Sequence, residues 1–223
     1  MSAAPSERTR VRRAPARAVY DREAVEAILD EAQVAHLGFA VDGQPYVIPT
    51  LHARVGDLVY VHGSSASRAL RTLRGGAPMC LTVTLVDGLV LARSVFHHSM
   101  NYRSVVVLGE ARAVDDREEK LRALEAFTEG LIPGRWAEAR PPSDQELKGT
   151  QILALPIDEA SAKVRTGGPV DDDEDYALDV WAGVLPLALR AGALEPDDRL
   201  RPGVAPSAAV TGLAAAKGGG AGA

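Results

Sequence analysis

The sequence lacks the features that mark several common classes of protein. It has one cysteine, Cys80, among 223 residues, which excludes an intrachain disulfide framework and a cysteine-based zinc site. No apolar run reaches the roughly 18 residues that a membrane-spanning helix needs. The glycine-rich signatures of Rossmann and P-loop nucleotide sites are absent, and so is the Gly-x-Ser-x-Gly elbow of the α/β-hydrolases. Any chemistry of this chain must therefore come from another kind of site.

The chain also lacks an excess of basic residues. Its formal net charge is −5, whereas broad nucleic-acid binding usually needs a basic face. Arg12 and Arg13 are not followed by the apolar segment that a twin-arginine export signal requires. We therefore expect a cytoplasmic protein with neither a nucleic-acid partner nor a membrane partner.

Composition divides the chain into a central body and two tails. Residues 1–18 are rich in Arg, Pro and Ala without an apolar period, which predicts a flexible basic arm. Residues 191–223 are dominated by Ala, Gly and Pro, which predicts a disordered, low-complexity tail. Residues 19–190 remain as one domain, and the chain as a whole has the 46% apolar content of an ordinary globular protein.

Short strand-like runs joined by tight turns dominate the body. Asp42-Gly43 and Asp87-Gly88 are each flanked by apolar and β-branched residues, which predicts two β-hairpins. Strands joined in this way, with one helix inserted after the third strand, favour an antiparallel arrangement over a parallel sheet. We predict a mainly β fold with helices, namely a small antiparallel barrel of Greek-key type.

Helix starts are marked by residues that cap free backbone N–H groups. Asp21, and then Asp115 or Asp116, precede segments whose apolar residues recur at helical spacing. Ser143 and Glu146 form a capping-box pattern at the start of a third, short helix.

One stretch of the body has the layout of an anion-binding loop. A strand-like run over residues 58–62 ends at Gly63, continues through small hydroxyl residues, and leads into a helix-like segment. A helix start offers unpaired backbone N–H groups, and the side chains of Ser67 and Arg68 add donors for phosphate oxygens. Taken alone, the pattern favours a Ser-capped helix with arginines on its solvent-exposed face over a phosphate-binding site.

Four motifs carry a family resemblance by their order. They are Val47-Ile-Pro-Thr-Leu-His52, Tyr60-Val-His-Gly-Ser64 with Ser67-Arg68, Asn101-Tyr-Arg-Ser-Val-Val-Val-Leu-Gly109 and Asp179-Val-Trp-Ala-Gly-Val-Leu-Pro-Leu187. Across residues 19–189 the chain resembles the pyridoxamine 5'-phosphate oxidase-like flavoproteins, and within them the nitroimidazole-reductase-like, flavin-nucleotide-binding branch. The resemblance implies an FMN-binding split barrel that forms a homodimer, with cofactor sites at the subunit interface.

The resemblance also implies a set of residues that contact the cofactor. Ser67 and Arg68 would hold the FMN phosphate, the backbone of residues 48–51 would run past the flavin ring, and His62 would lie beside the cofactor. The full predicted set is Ile48, Pro49, Thr50, Leu51, His62, Gly63, Ser67, Arg68, Tyr102, Arg103, Ser104 and Trp181. No catalytic acid or base and no metal ligand is predicted, as expected when the cofactor performs the chemistry.

Two departures separate the chain from the true pyridoxamine phosphate oxidases. Ala69 stands where those enzymes have a basic residue, and Ser104 stands where they have a glutamine. The C-terminal substrate-binding signature of those enzymes is also absent. The resemblance therefore implies flavin binding without vitamin B6 oxidation.

Several of these residues have two interpretations. Arg103 is either a solvated residue at a strand entry or a positive charge that stabilises a reduced, anionic flavin. Trp181 is either a core plug or a flat wall that stacks on the cofactor across the dimer. His97 and His98 are surface residues rather than metal ligands, because neighbours in a strand point to opposite sides. His98 or His62 as an axial haem ligand is a second interpretation, since related split barrels include haem-binding members.

The leading hypothesis is an FMN-dependent oxidoreductase that passes electrons from NADH or NADPH to a small organic acceptor, such as a nitroaromatic compound. The alternative is a protein without turnover that binds FMN or haem for storage, sensing or transfer. A deazaflavin in place of FMN also stays open.

Overall fold

The computed structural model describes residues 3–218. This part of the chain contains ten strands and five α-helices. The strands are β1 (Ala18–Val19), β2 (Val34–Val41), β3 (Gln44–Val55), β4 (Leu58–Ser64), β5 (Pro78–Leu91), β6 (Ser99–Glu110), β7 (Arg112–Ala113), β8 (Thr150–Pro156), β9 (Ala160–Arg165) and β10 (Gly183–Pro186). The α-helices are α1 (Arg22–Glu31), α2 (Arg68–Arg74), α3 (Arg117–Leu131), α4 (Asp144–Gly149) and α5 (Ala208–Lys217). Short 3₁₀ helices span Pro15–Arg17 and Asp173–Ala177.

Every strand pairing among the described residues is antiparallel. The order across the sheet is β1-β9-β6-β5-β2-β3-β4-β8-β7, and β10 pairs with β5. Strand β3 pairs with β2 as far as Leu51 and with β4 from His52 onwards, so it passes from one half of the sheet to the other. The predicted mainly β, antiparallel split-barrel fold is confirmed, with α2 inserted after β4.

The first predicted hairpin is present with the predicted turn. Asp42 and Gly43 both have positive φ angles, 51° and 79°, as the central residues of a type I′ turn require. This turn sets the register in which Val41 faces Gln44. A left-handed conformation at both positions explains why Asn or Asp followed by Gly is a strong hairpin signal.

The second predicted hairpin, at Asp87-Gly88, is wrong. Strand β5 runs through this position without reversing, and its register with β6 shifts between Val86 and Gly88, which is a β-bulge. Beyond the bulge β5 is paired on both sides, by β6 and by β10, and Gly88 faces Pro186 of β10. A side chain at position 88 would lie 3.0 Å from the Leu185 carbonyl oxygen, so glycine here permits close strand packing.

The barrel interior is filled by the inward-facing residues of β2, β5, β6 and β8 and by one face of α1. Leu37 and Leu81 are almost completely buried there, together with Leu29 of the helix. Asp21 caps α1, as predicted, by accepting a hydrogen bond from the Ala24 backbone N–H at 3.2 Å. The buried apolar face of α1 therefore lies against the barrel rather than toward solvent.

A smaller apolar cluster joins α3 to the outer face of β3, β4 and β8. Phe127 of α3 packs there with Tyr60 and Ile152 of the sheet. The Tyr60 hydroxyl donates to a carboxylate oxygen of Glu119 at 2.8 Å, which ties the strand to the start of α3. Asp116 caps α3 by accepting from the Glu119 backbone N–H at 2.8 Å, which resolves the predicted choice between Asp115 and Asp116.

Both predicted tails contain ordered elements. In the N-terminal arm the Val11 backbone N–H donates to the Tyr20 hydroxyl at 2.8 Å, and Thr9 is buried. In the C-terminal tail residues 208–217 form α5, and the Ser207 hydroxyl is 2.6 Å from a Glu138 carboxylate oxygen. The first two and the last five residues of these predicted tails lie outside the described residues.

Between residues 3 and 218, no helix combines the length and the apolar character that a membrane crossing requires.

Candidate functional site

A cavity of about 550 Å³ lies between α3 and the strands β3 and β4. The segment 132–142, which connects α3 to α4, lines another side of it. Most of its wall is apolar, and the side chains that form this wall are Leu51, Leu124, Phe127, Leu131, Ile132 and Trp136. A volume of this size with apolar walls is typical of sites for small organic ligands or cofactors.

His62 brings an imidazole into this cavity. It follows Tyr60 by two positions in β4, so both side chains point toward α3 while Val61 points into the barrel. The His62 ring centroid lies 4.3 Å from that of Phe127, with the ring planes at 60°. Burial lowers the pKa of the imidazole below its ordinary value, so the ring is neutral at pH 7.

The Nδ1 atom of His62 is buried and has no hydrogen-bond partner within residues 3–218. A buried polar atom without a partner is unfavourable unless a ligand satisfies it. A neutral imidazole is also the form of histidine that binds metals. His62 is therefore suited to bind the metal of a group that occupies this cavity.

The mouth of the cavity carries an ion pair. The terminal nitrogens of Arg140 donate to the two carboxylate oxygens of Glu146 at 2.8 and 2.6 Å. Glu146 also accepts from the Ser143 backbone N–H at 2.7 Å in the predicted capping box of α4. The bonds with Arg140 first, and those with Ser143 second, lower the pKa of Glu146 to about 2.

The loop that bears the cavity wall is held by a second carboxylate. Glu129 accepts from the backbone N–H of Gly134 at 2.6 Å and from that of Trp136 at 2.8 Å. Gly134 has a φ of 86°, a conformation that favours glycine. These contacts hold the backbone of the segment that carries Trp136.

The predicted phosphate-binding residues lie outside this cavity, at the start of α2. Ser67 occupies the N-cap position, but its hydroxyl makes no capping hydrogen bond. The Arg68 guanidinium carbon lies 4.4 Å from the centroid of the Tyr46 ring. A side chain at Gly63 would come within 3.0 Å of Leu70, so this glycine lets α2 pack close to β4. A free hydroxyl and an exposed guanidinium are available there for an anionic group.

The register of the sheet places other predicted residues on one face. One row of paired residues crosses four neighbouring strands and has its side chains on the barrel side of the sheet. Its members are Thr50, Ala35, Val83 and Val105. The residues one step along, Leu51, Val34, Thr84 and Ser104, therefore share the outer face. Three strand spacings separate Leu51 from Ser104, or about 14 Å.

Several residues of this outer face are apolar and exposed. Val34 is 47% exposed, Val47 is 68% exposed, and Pro49 is exposed on the same face. Large apolar patches of this kind mark surfaces for ligands or protein partners. Leu51 lies at the border between this face and the cavity, since it also lines the cavity.

Arg103 lies in an ion-pair network with two carboxylates. Its guanidinium donates to Glu31 at 2.7 Å and to Asp87 at 3.0 and 2.7 Å. These two carboxylates, Glu31 first, raise the pKa of Arg103, and Arg103 lowers that of Glu31. Asp87 reaches Arg103 from the bulge in β5, so the residue that was predicted to form a hairpin anchors an ion-pair network instead.

Trp181 is not a core plug, because 70% of its surface is exposed. Its ring lies over the backbone of Gly183, where a side chain would come within 2.9 Å of two ring atoms. The ring therefore presents a flat, exposed face. This position does not support a core plug, and stacking on a cofactor across the dimer stays a prediction.

The two adjacent histidines lie at the surface, away from the cavity. His98 is exposed and its Nδ1 is 3.0 Å from the Ser94 carbonyl oxygen. His97, Asp172 and Asp175 place ligand atoms within 4.8 Å of one another, a proximity that the spacing in sequence did not reveal. Of the two histidines predicted as haem ligands, only His62 lines the cavity.

Comparison with known proteins identifies the family. The sequence profile described as pyridoxamine 5'-phosphate oxidase matches residues 21–164. The chain belongs to this family. The match confirms the family predicted from the four motifs. No curated protein matches the chain.

Two solved structures are similar over nearly the whole chain. The flavocytochrome Anf3 from Azotobacter vinelandii is 46% identical with a TM-score of 0.89, and the alignment covers 94% of this chain and 97% of that one. The FAD and haem binding protein from Mycobacterium smegmatis is 38% identical with a TM-score of 0.85, covering 88% and 97%.

A third structure shares the fold at lower identity. The putative 5-nitroimidazole antibiotic resistance protein from Bacteroides thetaiotaomicron is 24% identical with a TM-score of 0.56, covering 66% of this chain and 86% of that one.

Sequence reasoning missed most of the cavity. Phe127 and Trp136 lie outside the four motifs, so no motif links them to His62. Arg140 was not singled out at all. The one local signal for these residues is the tryptophan itself, since a large aromatic residue in a loop rich in Pro and Gly needs a surface to pack on.

Proposed function

We propose that this family member is a flavin- and haem-binding redox protein, with the haem in the 550 Å³ cavity. The observation that carries the proposal is the neutral imidazole of His62 in the lining of a mostly apolar cavity. Similarity to a flavocytochrome and to a protein described as binding FAD and haem supports the same pair of cofactors.

The residues of the cavity fit a haem. A histidine is a common axial ligand of haem iron, and the apolar walls suit a flat macrocycle. Phe127 and Trp136 supply aromatic surface for such a macrocycle. His62 is the one imidazole, thiol or thioether among the described residues that line the cavity, so the protein would provide one axial ligand.

A flavin is proposed for the neighbouring region between the start of α2 and the outer sheet face. Ser67 and Arg68 would bind its phosphate, and the backbone of residues 48–51 would flank the ring. Tyr102 and Ser104 lie at the far side of the same sheet, within the span of about 14 Å that the strand spacing sets. FMN was predicted from the sequence, and the similar mycobacterial protein is described as binding FAD, so the extracted flavin decides between them.

When bound, the two cofactors would supply electron transfer, and the protein would supply orientation and exclusion of water. Leu51 borders both the cavity and the outer sheet face, which supports the proposal of two neighbouring sites. NADH or NADPH is the proposed electron donor, and a small organic molecule the proposed acceptor.

A second copy of the chain is the proposed partner on the outer sheet face. The exposed apolar residues of this face favour association, and Trp181 offers a further exposed aromatic surface. The proposed flavin region borders this face, so residues of the second copy would complete the site.

The absorption spectrum of the purified full chain tests the proposal. We expect a Soret band and flavin absorbance, and reduction of the bound flavin by NADH or NADPH in stopped-flow mixing. A chain that takes up neither added haem nor added flavin would contradict the proposal. Bound cofactors that no nicotinamide donor reduces would favour the alternative of a carrier without turnover.

A further inference from the structure

The charged lining residues of the cavity lie at its mouth, and the rest of its wall is mostly apolar, with His62 and Thr128 as the other polar residues. Arg140 and Glu146 are the charged residues among the described side chains that line it, and Arg140 is the only cation. Arg140 precedes α4 and Glu146 lies in its first turn. A ligand that fills this cavity therefore has one edge next to a guanidinium and most of its remaining surface against apolar side chains.

The arrangement of Arg140 leaves hydrogen-bonding capacity for such a ligand. A guanidinium has five N–H donors in a planar fork. Within residues 3–218, its bonds go to Glu146 at 2.8 and 2.6 Å and to the Pro141 carbonyl oxygen at 3.0 Å. The Nε–H and one hydrogen of a terminal nitrogen remain available. The side chain is 71% exposed, so these donors are accessible from the mouth of the cavity.

We propose that Arg140 binds the carboxylate group of the ligand in this cavity and so fixes which edge of the ligand faces solvent. This inference rests on the proposed haem site. A haem combines an apolar macrocycle with two propionate carboxylates on one edge, and the cavity combines apolar walls with one cation at its mouth. Arginine pairs with carboxylates through a planar fork, which gives orientation as well as attraction.

Glu146 sets the position of Arg140 and competes for it. Its carboxylate is fixed by the capping box and remains ionised at neutral pH, because its pKa is lowered to about 2. The ion pair holds the guanidinium at the mouth before a ligand arrives. The same pair neutralises part of the positive charge that a propionate would meet. Replacing Glu146 by glutamine keeps a capping side chain and removes this competition.

The test compares two ligands that differ only in their carboxylates. Haem-free full chain is titrated with protohaem IX and with its dimethyl ester, and the Soret band reports the affinity. For Arg140→Gln we expect a loss of about ten-fold or more for protohaem IX, the usual effect of losing a charge-assisted hydrogen bond. We expect no change for the dimethyl ester. Arg135→Gln is the matched control, since Arg135 lies in the same segment, pairs with Glu138 at 2.9 Å and does not line the cavity.

Glu146→Gln should change the affinity for protohaem IX in the direction opposite to Arg140→Gln. We expect it to tighten protohaem IX and to leave the ester unchanged, an outcome that a misfolded variant would not give. Equal losses of both ligands in Arg140→Gln, or an unchanged affinity for protohaem IX, would overturn this inference and leave the haem site standing. No haem binding by the unmodified chain would overturn both.

Discussion

The His62 imidazole packs against the Phe127 ring, with centroids 4.3 Å apart and planes at 60°. This contact joins β4 to α3 at the inner end of the cavity. Phe127 is buried and its backbone is helical, so the contact restricts the rotation of the imidazole. A restricted, neutral imidazole needs little reorganisation to bind a metal.

Replacing His62 by alanine is expected to abolish stable haem binding. Loss of groups that only orient a metal ligand lowers affinity by about 10–100-fold, so loss of the ligand itself should exceed this range. Soret titration of the purified variant measures the effect, and added imidazole should restore part of the band by entering the vacated space. His98→Ala is the control, because His98 is exposed and lies outside the cavity. If His98→Ala loses haem and His62→Ala retains it, the ligand is misassigned.

His52 should make the free energy of unfolding depend on pH. It is buried, its Nε2 lies 2.8 Å from the Leu29 carbonyl oxygen, and its Nδ1 has no partner among residues 3–218. Burial lowers its pKa below the ordinary 6.5, so the unfolded chain takes up the proton first as the pH falls. The stability from neutral His52 is therefore complete above pH 6.5 and declines as the pH falls below that value toward the folded pKa.

Urea unfolding at a series of pH values measures this dependence. We expect His52→Gln to reduce the slope below pH 6.5 by up to about 1.4 kcal/mol per pH unit. His62 has a pKa lowered in the same direction, so part of the slope should remain. His36→Gln is the control, because His36 is exposed. Identical slopes for the unmodified chain and His52→Gln would show that His52 does not titrate in this range.

The sequence predicted those features of the fold that a few neighbouring residues determine. The Asp42-Gly43 turn and the Asp116 cap were predicted because a few adjacent residues determine them. The Asp87-Gly88 hairpin was wrong because pairing with β6 and β10, rather than the local dipeptide, keeps β5 extended. The same tertiary contacts bring Asp87 to Arg103, a pairing 16 positions apart that no local pattern shows.

The candidate site was predicted in part for the same reason. His62 lies in a motif that resembles a known family, so it could be singled out. Its surroundings could not, because Phe127, Trp136 and Arg140 reach it from α3 and from the loop that follows, more than 60 positions along the chain. When a cavity is formed by elements that are distant in sequence, the sequence of each element alone carries no periodic pattern that reveals it.

Arg68 is expected to hold the flavin phosphate, whereas Arg74 is not. Arg68 lies at the start of α2 beside a free Ser67 hydroxyl, and Arg74 lies at its end, 3.6 Å from Asp115. Arg68→Ala should weaken flavin retention by about ten-fold or more, the usual effect of losing a charge-assisted hydrogen bond to phosphate. The flavin content of dialysed protein, measured by absorbance after denaturation, compares the two variants. Equal losses from Arg68→Ala and Arg74→Ala would place the phosphate elsewhere.

Arg103 is expected to contribute to stability rather than to the flavin potential. Arg103→Gln would leave the neighbouring carboxylates Glu31 and Asp87 facing each other without their shared cation. We expect a loss of roughly 1–3 kcal/mol in the free energy of unfolding, as for other hydrogen bonds between charged groups. Removal of a positive charge next to a flavin shifts its reduction potential whatever the partners of that charge, so an unchanged potential is the result expected for an Arg103 that acts on stability alone. A shift of that potential to a more negative value in Arg103→Gln would restore the electrostatic role predicted from the sequence.

A glutamate at position 47 should disrupt the proposed homodimer. Val47 is 68% exposed and lies on the apolar outer face of the sheet, opposite Gly38 of β2. A carboxylate buried between two such faces without a partner is strongly unfavourable, so Val47→Glu should shift the chain to monomers. Sedimentation velocity measures the change, and flavin content should fall with it because the proposed flavin site borders this face.

Val55→Glu is the matched control for that experiment. Val55 is also an exposed valine of β3, at 40% exposure, but it lies beside the turn into β4 and faces Leu58. It should leave both the dimer and the flavin content unchanged. If both variants stay dimeric, the second copy binds another surface, and the exposed ring of Trp181 becomes the next position to change. If Val47→Glu becomes monomeric and keeps its flavin, one copy of the chain is sufficient to bind the cofactor.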